Sequence, residues 1–117
     1  MFIFVFIIMI LTTENVSKLF NSTFIKKVYP MIDDIKVKVL WDGDEVWPFY
    51  DFNIVIKLND PTIDEDNIYD KGFDPHYLYD HHLEPLLKFL GFSRNNATIA
   101  QVYLKVYNGE GKEIFYM

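Results

Sequence analysis

Between Asp74 and Glu84 the chain reads Asp74-Pro75-His76-Tyr77-Leu78-Tyr79-Asp80-His81-His82-Leu83-Glu84, its densest grouping of imidazoles and carboxylates. Such groups transfer protons near neutral pH or ligate a divalent metal. On one helix His76 meets Asp80, and Asp80 meets Glu84, at the spacing that brings side chains together. The zinc pair that works on a helix is two histidines at i and i+4, whereas His81 and His82 stand five and six residues from His76. A metal-dependent enzyme centred on the His76–His82 stretch is kept as an alternative. The plainer role of the acids here is to complement a helix dipole.

A second grouping is acidic: Asp60, Asp64, Glu65, Asp66 and Asp70, with Tyr69 among them, and a smaller set at Asp42, Asp44 and Glu45. Asp64-Glu65-Asp66-Asn67 looks like the opening of a calcium loop. Ile68 replaces the fifth-position oxygen ligand and Tyr69 the sixth-position glycine, which excludes an EF-hand. Carboxylates interleaved with aromatics suit docking on a basic protein surface, where aromatic side chains anchor and complementary charge selects the partner. Trp47 and Tyr50 are the further anchors in this reading.

Other chemistries find less support. Without cysteine there is no thiolate nucleophile, thiolate metal site or disulfide scaffold. Asn108-Gly109-Glu110-Gly111 has no helix start behind it and is no phosphate loop, and there is no Gly-x-Ser-x-Gly elbow. Lys36, Lys38, Lys57 and Lys105 with neighbouring tyrosines imitate an RNA-recognition face. The diagnostic aromatic-glycine signature is missing, and a net charge of -6 disfavours phosphate backbones as the main partner. No nucleic acid, membrane, metal or cofactor is therefore expected. Asn15-Val16-Ser17, Asn21-Ser22-Thr23 and Asn96-Ala97-Thr98 are glycosylation triplets that matter only in a secreted chain.

The elements that must position these groups follow from periodicity. Phe2 to Leu11 is an unbroken apolar run, too short for a membrane span and without the basic start and small-residue cleavage site of a signal peptide. It reads as a strand buried on both faces, at the middle of a sheet. Thr12 or Thr13 caps a helix over Glu14–Tyr29, with Val16, Leu19, Phe20, Phe24 and Val28 as its apolar stripe and Pro30 beyond its end. Alternation predicts strands over Ile35–Trp41 and Phe52–Leu58. Residues 59–72 show no period and form a long surface loop, a length that often marks function. Asp74-Pro75 opens a helix with Tyr79, His82, Leu83, Leu86, Leu87 and Leu90 inward, bent or divided near His81 by Pro85 and stopped by Gly91. Ile99–Tyr107 and Lys112–Met117 make a hairpin around Asn108-Gly109.

With 117 residues, 50% hydrophobic and 18% aromatic, this is a single domain over residues 1–117 with a real core. The fold class is α+β: a two-layer sandwich in ferredoxin-like β-α-β-β-α-β order with an additional C-terminal hairpin strand. Both helices then cover one sheet face, and the other is left for a loop, a second copy or another chain. The functional expectation is a non-enzymatic, cytoplasmic, acidic binding protein. It would dock on a basic protein partner such as a nuclease toxin, in the manner of an inhibitor or immunity protein, through Asp60, Asp64, Glu65, Asp66, Tyr69, Asp70, Trp47 and Tyr50. An accessory subunit of a larger assembly is the second expectation.

Overall fold

Alternating side chains build the sheet. In a computed structural model describing residues 13–22, 25–41, 50–89 and 99–117, strands β1 (Ile32–Trp41), β2 (Tyr50–Leu58), β3 (Ile99–Tyr107) and β4 (Glu113–Tyr116) form a four-stranded sheet in the order β1-β2-β3-β4. β1 and β2 pair antiparallel, β2 and β3 parallel, and β3 and β4 antiparallel. Register brings Ile35 opposite Ile56 and Val37 opposite Ile54 on one side of β2. On the other side Leu104 meets Ile54 and Val106 meets Ile56, so these residues form one apolar face. All are buried in one core with Phe20, Ile25, Phe73, Leu78, Leu83 and Leu87.

The α+β class holds, with a mixed sheet. The ferredoxin-like order does not describe these strands, because that order seats the N-terminal strand between residues 52–58 and 99–107. Here β2 and β3 are hydrogen-bonded directly to each other, which closes the seat. The expected first strand, residues 2–11, lies outside the described residues.

The N-terminal helix, expected over Glu14–Tyr29, is α1 (Thr13–Ser22) followed by a short α2 (Ile25–Val28). Phe20 and Ile25 are buried while Val28 is exposed, so Val28 leaves the expected stripe; Phe24 lies outside the described residues. α1 lies along the outer edge of β1. Ser17 Oγ accepts from Val37 N (2.8 Å) and donates to Val37 O (3.1 Å), and Asn21 accepts from Ile35 N (3.0 Å) and donates to Ile35 O (2.6 Å). Four residues of helix rise about 6 Å and two residues of strand span about 6.6 Å, so the two pairs come into step. An edge that would template another strand is thereby satisfied.

The second helix begins as expected. Asp74 Oδ1 accepts from His76 N (3.0 Å) and Tyr77 N (3.2 Å), and Pro75 occupies the first position of α3 (Pro75–Leu78). Pro85 has no N–H to give the His81 carbonyl and its ring crowds that group. The chain widens into a π-helical turn over Tyr79–Leu83, with Glu84 N donating to Tyr79 O, before α4 (Glu84–Phe89) resumes. The turn changes the buried face. Leu78 and Leu83, about 140° apart on a regular helix, are both fully buried, and His82 is only half-buried.

Candidate functional site: the acidic turn

Residues 59–72 form the expected surface loop, with most of their side chains exposed, but the loop is not free. Ile63, Ile68 and Phe73 are buried in the core and fasten the segment at three points. Between them the backbone makes one turn carrying the caps of a helix at both ends. Asp64 Oδ1 accepts from Asp66 N and Asn67 N, both at 2.8 Å, and Asn67 Oδ1 accepts in return from Asp64 N at 2.8 Å. This reciprocal box has Ile63 before it and Ile68 after it in the places of a hydrophobic staple. At the other end Phe73 N donates to Ile68 O (3.1 Å) and Gly72 N to Tyr69 O (3.0 Å), with Gly72 at φ +86°. That is the Schellman closure, for which glycine is the residue without a Cβ penalty.

A second clamp comes from the β3–β4 turn. Asn108 is buried, donates to Ile63 O (2.9 Å), and accepts from Glu110 N (2.9 Å) and Lys112 N (3.0 Å). Gly109 N donates to Asp60 O (3.0 Å). A Cβ at Gly109 would stand 2.6 Å from Asn59 O and 2.8 Å from Pro61 N, so the two backbones approach as only glycine permits.

These constraints sort the expected site residues. Asp60, Asp64, Glu65, Asp66, Tyr69 and Asp70 are brought together on this turn, but they are not equivalent. Asp60 Oδ1 accepts from Thr62 Oγ1 (2.6 Å) and Thr62 N (2.8 Å), which holds its carboxyl below the usual range. Asp64 is committed to the cap. Glu65 is lowered by a bond from its own backbone N–H and by Lys112, whose ammonium lies 3.2 Å away. Asp66, Tyr69 and Asp70 are exposed and point their side chains at solvent.

Tyr50 does not join them. It starts β2 while the acidic turn follows the end of that strand, about 26 Å away along the strand. It packs half-buried against the core, and burial raises its phenol. Trp47 lies outside the described residues.

The histidines on the second helix do not converge either. His76 packs edge-on against Phe115 (5.2 Å between centroids), His81 stacks on Tyr77 (3.9 Å), and His82 meets Tyr29 edge-on (5.6 Å). Among the described residues no group of three or more His, Cys, Asp or Glu side chains is placed to hold a metal ion. The triplet at Asn21 is structural: its amide nitrogen is spent on Ile35 O and Ser17 O. Among the described residues no helix is long and apolar enough to cross a membrane.

Sequence reading for charge passes over Asn108 and Gly109, which read as turn formers and nothing more. The signal for the turn itself is present as Ile63-Asp64-x-x-Asn67-Ile68, a capping box inside an isoleucine staple. Comparison with protein-family models, curated proteins and solved structures finds no significant match, so the chemistry of the surface is read from its geometry alone.

Proposed function

We propose that this protein is a non-enzymatic binding protein that docks on a basic protein partner through the acidic turn, with Asp66, Tyr69 and Asp70 as the contact residues. The observation that supports this reading is that the turn is built before any partner arrives. Its backbone is capped at both ends, fastened by Ile63, Ile68 and Phe73, and clamped by Asn108. A preformed loop loses little conformational entropy on binding, and its exposed carboxylates steer a cationic partner and select it. Asp60, Asp64 and Glu65 support this surface by holding its shape. Within the class, an inhibitor or immunity protein acting in the cytoplasm on a basic toxin such as a nuclease is the reading that size and charge favour.

The test is affinity for a candidate basic protein across ionic strength. Asp66→Lys with Asp70→Lys is expected to weaken binding at least tenfold and to flatten its salt dependence. Unchanged affinity and slope in the double variant would remove the turn from the interface.

A further inference from the structure

The sheet face opposite the core carries a pattern unlike the rest of the molecule. Register aligns Lys36, Val55, Lys105 and Tyr116 in one row across all four strands, and Lys38, Asn53 and Tyr103 in the next. A third row holds Asp34, Lys57, Tyr107 and Glu113. Lys36, Lys38 and Lys57 are exposed, and Lys36 and Lys38 make no ion pair among the described residues. Between Asn53, Val55, Tyr103, Lys105 and Tyr116 the face dips into a shallow concavity of about 370 Å³. Lys105 lies 5.7 Å over the Tyr116 ring and 3.9 Å from Glu113, so the ring is already held by a cation.

We propose that this face binds single-stranded nucleic acid, with a base stacked in the concavity on Tyr103 and Tyr116 and the backbone phosphates on Lys36 and Lys38. Strands lie about 4.8 Å apart, which puts the β1 lysines about 10 Å from Tyr103, two strands away. That separation suits a phosphate reached by an extended lysine while its base lies on the ring. Stacking on aromatic side chains beside a cationic track is how single strands are held without sequence preference. An acidic polypeptide would match the lysines and leave the tyrosine rings unused. Asp34, Asp51 and Glu113 share this face with the lysines, Glu113 spent on Lys105, and together with the overall charge of -6 they keep the affinity modest.

Fluorescence anisotropy of a short labelled oligothymidylate, titrated with the full chain over a range of salt, tests the site. Saturable binding is expected, with log affinity falling against log salt at a slope of about -1.4 for two phosphates neutralised. Lys36→Glu with Lys38→Glu is expected to abolish it. Tyr103→Ala and, independently, Tyr116→Ala should each weaken it about tenfold. Tyr116 is 59% exposed, so its replacement leaves the fold intact and keeps the test decisive if Tyr103→Ala does not fold. Asp66→Lys with Asp70→Lys should retain oligonucleotide binding, which separates this site from the acidic turn. Absence of saturable binding at low salt, indifference to Tyr116→Ala, or equal affinity for polyglutamate would overturn the proposal.

Discussion

The Asn108 amide ties the acidic turn to the β3–β4 hairpin, beside the bond from Gly109 N to Asp60 O and the Lys112–Glu65 pair. Asn108 satisfies a carbonyl on the turn and two backbone N–H groups of its own hairpin, so Asn108→Ala leaves three buried or half-buried polar groups to find other partners. The expected loss is about 2 to 3 kcal/mol, read from urea unfolding; a loss under about 0.5 kcal/mol would mean that water replaces the amide. Gly109→Ala places a methyl group against the backbone of Asn59 and Pro61 and is expected to cost about 1 to 3 kcal/mol. Titration belongs to this scale as well. The carboxyls of Asp60 and Glu65 are held below their ordinary values, by Thr62 and by Glu65's own N–H together with Lys112 respectively. Their contribution to stability is complete above the unfolded-state values of about 4 and disappears as pH falls through the lower folded-state values. The urea midpoint should therefore stay level down to about pH 5 and fall below about pH 4. Asp60→Asn combined with Glu65→Gln should make that fall shallower; an identical acid limb would assign it to other groups.

The elements show two solutions to backbone groups left without partners. At β1 the outward N–H and C=O of Ile35 and Val37 are taken by Ser17 and Asn21. Ser17→Ala with Asn21→Leu is expected to lower stability by about 2 to 4 kcal/mol and to expose a strand edge that pairs with other chains. Light scattering on storage is the measurement, and a monodisperse double variant would show that α1 shields the edge by packing alone. In the second helix the missing donor of Pro85 is absorbed by the π-helical turn. Pro85→Ala restores the donor, but the turn also places Leu78 and Leu83 together in the core. The bulge is therefore expected to persist, with the amide that Pro85→Ala introduces protected from exchange and little change in the near-ultraviolet spectrum; loss of the aromatic signal would show that the proline alone imposes it.

At the scale of the whole molecule, the described residues present two charged surfaces. Exposed carboxylates crown the turn after β2, whereas lysines and tyrosines share the sheet face away from the core. Under the two proposals the surfaces respond oppositely to charged ligands, a basic protein being expected at the first and a polyanion at the second. Asp66→Lys and Asp70→Lys replace exposed side chains outside the caps, so the thermal midpoint should be preserved to within the equivalent of about 0.5 kcal/mol even where binding is lost.

Local rules set much of this protein before any tertiary contact forms. Alternation placed β1 and β2, Asp74-Pro75 started the second helix, Asn108-Gly109 turned the last hairpin, and Ile63-Asp64-x-x-Asn67-Ile68 wrote the acidic turn. Each is a preference of a few adjacent side chains for one backbone conformation. Strand order was decided only in three dimensions, since every backbone carries the same donors and acceptors and periodicity cannot say which strand they meet. Residues 2–11 aside, β2 chose β3 as its neighbour across a crossover, and no local pattern encodes that. Which carboxylates are spent on distant partners was likewise hidden: Glu65 and Asp66 are neighbours in the chain, and only the folded molecule brings Lys112 to one and leaves the other facing water.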